Sequence, residues 1–371
     1  MCSWNKVITV VFVLLKFSNT LEANQEINVE PAAPNGIEFS NNDGQSNSQE
    51  FLNFPNLEMQ QFEPDPPTTS NVPKEKMEYM FRVYATNCSC PQTKKQVDVA
   101  DKLSKNLQHL PFGVPYSHED NVTLRLLYND DYITAFDLKY RIPMWTSFTI
   151  KGKKDLYTDR PVCWTGDARI AFSDTAQCGD YDTDIVKRNY IVQGPVFPLD
   201  YSNPSSEDQV AYITNSIPKS LNHTRMVETK LYHVLKTWAQ ESGELNVVIG
   251  PAFDLDHNGL RPHIGTIMRT HAMHGPLIVP THLFVIATWC SAANSKINEC
   301  DSLNLSAHSF LVPNKPFPME STIAENILQE SSTSVADIEN LSGLTFYTQL
   351  PMHDAIRLRK IPSERQLPEI E

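Results

Sequence analysis

The sequence predicts an α+β domain with an antiparallel core sheet flanked by helices, on three observations: short apolar runs bounded by turn residues, one long amphipathic run, and a shorter helical run closed by glycine. In LNVVIGPAFDLD (Leu245 to Asp256), Val247, Val248 and Ile249 follow Leu245 and precede a Gly250-Pro251 turn, with Ala252 beyond it. That run is too short for a helix core and suits a central strand over 245–250. Runs at 282–289 and 308–312 supply two more strands. From Asn222 to Glu241, Val227, Leu231, Val234, Leu235 and Trp238 recur at a period near 3.6, with Asn222 as cap and Gly243 as stop. Val335, Ile338 and Leu341 define a second, short helix ended by Gly343.

The chain of 371 residues divides by composition. Residues 1–23 read as a signal peptide: Lys6 ends a short basic segment, VITVVFVLL is the apolar stretch, and Leu-Glu-Ala offers a cut after Ala23. That stretch is too short to span a bilayer, and no later one is longer, so a secreted, extracellular protein without a membrane span is expected. Residues 24–76, rich in Asn, Gln, Ser, Pro and Glu, read as a disordered acidic tail. Phe51, Phe54, Leu57, Met59 and Phe62 interrupt it, as a docking segment for a partner or a strip that settles on the protein itself. A Cys-containing linker (77–105) and a folded domain (106–365) follow. That domain is long enough to bury its own core.

Of seven cysteines, Cys2 leaves with the signal and six remain, an even number that reads as disulfides in an exported chain. Asn87, Asn121, Asn222, Asn304 and Asn340 each head an N-x-S/T triplet, whereas Asn203 is excluded by Pro204. The net charge is −13, which works against nucleic acid unless basic residues gather on one face. The compact basic runs, Lys151-Gly-Lys153-Lys154 and Arg357 to Lys360, read as solvated surface. Nucleic-acid binding is therefore expected to be weak or absent. GxSxG, P-loop and GxGxxG patterns do not occur.

After the central strand, Asp254, Asp256 and Asn258 alternate before Gly259 and the carbonyl of Leu260. Oxygens at alternate positions with glycine at the sixth suit a hard cation, and calcium is the natural candidate. The alternative is an Asx-rich turn without an ion, since no carboxylate stands at Pro262 or Gly265. His271, His274 and His282 in HAMHGPLIVPTH offer a weaker HxxH metal spacing, with His282 alternatively a hydrogen-bonded strand residue.

The blocks NLQHLPFG, RIPMWTSFTI, YITNSIPKS, LNVVIGPAFDLD, VPTHLFVIATWC, HSFLVPNKP and DIENLSGLTFY run in order from about Asn106 to Pro362. In this order they resemble the nuclease-like domain of the ectonucleotide pyrophosphatase/phosphodiesterases. That domain is similar in turn to the DNA/RNA non-specific endonucleases of the ββα-metal class. Active endonucleases carry Asp-Arg-Gly-His at a strand end, where the histidine takes a proton from the attacking water while a nearby Asn holds one magnesium. The resemblance places Val192, Gln193, Gly194 and Pro195 at those four positions. It places Asn222, Met226 and Lys230 where the family has the metal-binding Asn, a Trp and a Glu. Only Asn222 survives, as a vestigial magnesium position, and a glycan on it excludes a metal. His223, Glu228 and His233 lie close in sequence as an alternative base. The resemblance also implies disulfides Cys163–Cys178 and Cys290–Cys300, leaving Cys88 and Cys90 to pair with each other or with another chain; a CxC metal site lacks a second ligand pair.

Three functions follow as expectations. The first is a secreted, catalytically inactive nuclease-like domain that serves as a binding or interaction module, with calcium in a structural role. The second is a metal-dependent DNA/RNA endonuclease hydrolysing phosphodiesters, for which alone magnesium is required. The third is an accessory subunit of a separate nucleotide phosphodiesterase, recruited through the acidic tail or through Cys88 and Cys90. The partner itself is unknown from sequence.

Overall fold

The computed structural model describes residues 107–118, 124–152, 164–181, 190–221, 223–263, 265–267, 272–274, 277–292, 295–315, 321–360, 365 and 367–368. The chain divides into Met1–Gln61 and Phe62–Glu371, and every described residue belongs to the second unit. The signal segment, the tail, the Cys88/Cys90 linker, Asn87, Asn121, Cys163, Asn222 and His271 lie outside the described residues.

In chain order the labelled strands are β1 (Leu124–Tyr128), β2 (Ile133–Asp137), β3 (Ile142–Lys151), β4 (Ile191–Pro195), β5 (Ser216–Ser220), β6 (Glu244–Ala252), β7 (His282–Cys290), β8 (Leu305–Pro313) and β9 (Ser332–Thr333). The labelled helices are α1 (Glu228–Ser242), α2 (Ser321–Glu330), α3 (Val335–Ser342) and α4 (Met352–Lys360). Seven strands form one sheet in the order β9-β8-β7-β6-β3-β2-β1, with every neighbouring pair antiparallel. The fold is thus α+β, a large antiparallel sheet flanked by helices. Strands β4 and β5 form a separate two-stranded hairpin.

Strand β6 is central and almost wholly buried, as its apolar run requires. It does not stop at Gly250-Pro251: pairing with β7 continues to Ala252, with Pro251 opposite Leu283. Pairing with β3 ends at Ile249, so the N–H that Pro251 lacks is not needed on that side. Gly250 lets the backbones close up, since a Cβ there would stand 2.3 Å from the Met144 carbonyl oxygen.

All five residues of the α1 stripe, Val227, Leu231, Val234, Leu235 and Trp238, are buried. Trp238 meets Trp289 of β7 and Phe310 of β8 at ring-centroid distances of 5.8 and 5.9 Å, which lays the helix on the sheet. The entry to α1 is not α-helical: His223–Val227 forms a π turn. A five-residue repeat turns His223 and Glu228 toward the same side. Helix α3 buries Val335, Ile338 and Leu341, starts with a Ser334/Asp337 capping box, and ends at left-handed Gly343.

Candidate functional site

Strands β4 and β5, the π turn and α1 make a continuous ββα unit, and the candidate catalytic positions lie on its first strand. Val192 pairs with Lys219, Gln193 with Pro218, Gly194 with Ile217 and Pro195 with Ser216. Val192 and Gln193 are buried, and Gln193 Nε2 donates to Ser216 Oγ at 2.9 Å. None of the four side chains carries a charge or a proton acceptor suited to activating water.

The interior of this unit is held by an ion pair the sequence did not reveal. Lys219, 0% exposed, donates from Nζ to Glu228 Oε1 and to the Pro195 carbonyl. The Tyr232 hydroxyl donates to the same Oε1 at 3.2 Å. His223 Nε2 lies 4.0 Å from that oxygen while Nδ1 lies 3.0 Å from the Pro313 carbonyl oxygen. Burial pushes the His223 imidazole down to about 4, with the Glu228 carboxylate opposing and the Lys219 ammonium reinforcing. Burial also pushes the Tyr232 hydroxyl well above its usual range. Asn314 ties the unit to the sheet: its Oδ1 accepts from Ser220 N–H at 2.8 Å, and its Nδ2 donates to the Pro218 and Pro280 carbonyls.

Of the three candidate base residues, His223 and Glu228 come together, whereas His233 faces outward from α1. Lys230, at the family's carboxylate position, is paired at 2.8 Å with Glu325 of α2. Among the described residues of this unit, the oxygens of Glu228 and Pro195 are engaged by an ammonium and a second ammonium stands at Lys230, a set that does not suit a magnesium ion. Among the described residues no three His, Cys, Asp or Glu side chains gather around a common metal position.

The Asp254 loop follows β6 at a distance along the chain from this unit. Asp254 is buried, and its carboxylate oxygens accept from Asn258 N–H at 3.1 Å and Gly259 N–H at 3.4 Å. Asn258 Oδ1 accepts from Leu260 N–H at 2.9 Å. Asp256 is exposed, and His257 and Gly259 adopt positive φ. Thr281 Oγ1 receives the Asp254 N–H at 2.8 Å and lies 2.9 Å from His282 Nδ1. Burial holds His282 down to about 4 against the opposing charge of Asp254.

The Cys290–Cys300 disulfide is present, with a Cα–Cα distance of 5.8 Å. Asn304 and Asn340 are exposed. The run Arg357 to Lys360 is not simply solvated, as expected from sequence. Arg357 donates to the Leu305 and Ser302 carbonyls at 2.9 and 2.7 Å, and Arg359 pairs with Glu339 at 2.9 Å. Guanidinium forks meet carbonyls and carboxylates that a charge count does not display. No helix of the described residues is long and apolar enough to cross a membrane.

The family model for DNA/RNA non-specific endonuclease matches residues 114–352, well over half of the chain. The chain belongs to the DNA/RNA non-specific endonuclease family. The chain is 29% identical to a venom phosphodiesterase of Naja atra over 273 residues, 70% of this chain and 32% of that protein. It is 28% identical to ectonucleotide pyrophosphatase/phosphodiesterase family member 3 of Bos taurus, covering 72% of this chain and 31% of that one. Family member 1 of Homo sapiens is 25% identical, over 72% and 30% of the two chains. The chain thus spans about a third of the length of the curated relatives it matches.

Proposed function

We propose that this endonuclease-family domain is an extracellular, non-catalytic module that acts by binding. One observation carries the reading: the strand that should present the general base presents Val192, Gln193, Gly194 and Pro195 over an interior closed by Lys219 and Glu228. Loss of a general base alone costs about 10²–10⁴-fold in rate. The extracellular setting is supported by relatives named as venom and ectonucleotide enzymes. Calcium in a structural role at the Asp254 loop belongs to the same reading.

Incubation of the purified protein with supercoiled plasmid and with single-stranded RNA, in magnesium, manganese or chelator, tests it. Cleavage no faster than a buffer control is expected. Metal-dependent cleavage that disappears in Asn222→Ala would overturn the reading in favour of a nuclease.

A second reading, an accessory chain for a separate phosphodiesterase, is supported by relatives named as phosphodiesterases. A non-reducing gel of the protein secreted with candidate enzymes separates the two, because a linkage through Cys88 or Cys90 gives a reducible larger band.

A further inference from the structure

We infer that Lys219 is a built-in cation of the ββα unit, engaging from the protein the oxygens that a divalent metal there would need and thereby excluding such a metal. The inference rests on the non-catalytic reading and says what has become of the metal position.

The resemblance places the base on β4 and the metal-holding Asn just before the π turn that leads into α1. Lys219 bridges β4 and α1, through the Pro195 carbonyl of the strand and the Glu228 carboxylate of the helix. Both partners are oxygens, the donor type a hard cation uses. The ammonium is 0% exposed, and a charge so placed is tolerated only when paired and hydrogen-bonded. Tyr232 supplies Glu228 Oε1 with a further donor. A divalent ion entering beside the ammonium meets repulsion at low effective dielectric that lowers its affinity by orders of magnitude. Glycine at 194 is what admits the lysine: a Cβ there would stand 2.6 Å from Lys219 Cδ.

The test uses the full mature chain carrying Asp254→Ala and Asp256→Ala, so that the loop after β6 does not report, and reads the melting temperature and manganese binding by water-proton relaxation. With Lys219 intact, the melting temperature should be the same in chelator and in millimolar magnesium or manganese, without stoichiometric manganese binding. Lys219→Ala leaves a buried carboxylate alone and should melt roughly 10 °C lower in chelator. Millimolar manganese should restore a large part of that loss, as a free cation takes the vacated position, and one manganese should then bind. Lys219→Gln, closer in volume, takes the same test if the alanine variant does not fold. Stoichiometric manganese binding with Lys219 in place would overturn the inference. So would Lys219 variants whose lost stability no divalent cation restores, which reduces the lysine to an ordinary ion pair. Because neither readout is cleavage, nuclease activity would defeat the non-catalytic reading separately.

Discussion

Lys219 lies so tightly against Gly194 that a Cβ at position 194 would stand 2.6 Å from its Cδ and 3.1 Å from its Cγ. The two residues sit on paired strands two residues out of register, as diagonal neighbours on one face, since Val192 is the partner of Lys219 and Ile217 that of Gly194. The glycine of the family's tetrapeptide therefore survives here beside a buried lysine.

The contact is with a side chain, but one with no freedom to yield, because it is buried along its length and anchored at Nζ by Glu228 and Pro195. Gly194→Ala should cost about 1–3 kcal/mol, the usual range for forcing a methyl into a filled interior. Urea unfolding checks this. Most of the cost should vanish when Lys219→Ala is made in the same chain, and a Gly194→Ala protein as stable as wild type would mean the lysine has room after all.

A pH dependence follows from His109, which is 4% exposed and accepts the Thr149 N–H at Nδ1 over 3.1 Å. Burial, opposed by the charge of Asp131, pushes it from 6.5 down to about 4. The folded-state value is depressed, so the unfolded chain takes up the proton first. Stability is then full above about pH 6.5 and falls as pH drops from 6.5 toward 4. One proton corresponds to about 1.4 kcal/mol per pH unit within that window. His109→Asn, which keeps an acceptor for Thr149 without a titrating ring, should flatten the slope by up to one proton in melts across this range.

The elements legible in the sequence were those whose signal is local. The β6 run, the α1 stripe and the α3 stripe with Gly343 each fall where periodicity put them, because apolar spacing is the physical cause of burial. The ββα unit was legible only through resemblance. Lys219 sits in Ile217-Pro218-Lys219, where a lysine ordinarily reads as a surface residue, and its partner lies nine positions on in the next element. Burial of a charge depends on a partner brought by tertiary structure, which no pattern within five residues reveals. Arg357 and Arg359 failed for the same reason, since their partners lie on β8, on the turn before it and on α3.

Arg365 offers a test of a cation–π contact with the tryptophans of α1 and β7. Its guanidinium lies 4.7 Å from the Trp289 ring centre and 5.4 Å from that of Trp238, donates to Ser242 Oγ at 3.2 Å and pairs with Glu241. Arg365→Ala should lower stability by about 1–2 kcal/mol, from the lost cation–π contact and packing. Fluorescence of the two tryptophans should change in the folded state, and both readouts unchanged would show that the contact contributes nothing in solution.

The Cys290–Cys300 bond closes a loop with a sequence separation of 10 between the end of β7 and the approach to β8. A loop of this size stabilises by about 2–3 kcal/mol in the chain-entropy model. Cys290→Ala, Cys300→Ala should melt lower than wild type, and reductant should no longer lower the melting temperature through this bond. Equal melting temperatures of wild type and variant under non-reducing conditions would count against a stabilising role.

The Asp254 loop separates calcium binding from a plain turn. Its oxygens already accept the amides of Asn258, Gly259 and Leu260, so the backbone is shaped without an ion. Calcium takes six to eight oxygens, and Asp254, Asp256, Asn258 and the Leu260 carbonyl leave several to water, which sets a weak affinity on the order of 10⁻⁴ M. An ion that binds only the folded state adds RT ln(1 + [L]/Kd), about 1.4 kcal/mol at tenfold excess over Kd. That amounts to a rise of about 3–5 °C for a domain of this size. Asp254→Ala, Asp256→Ala should melt lower from the start, because Asp254 also holds two amides, so the quantity to compare is the response to calcium. A clear response in wild type and none in the variant establishes the site. If neither protein responds, Asp254 and Asn258 are turn formers only, and the stability of the β6 end rests on their hydrogen bonds alone.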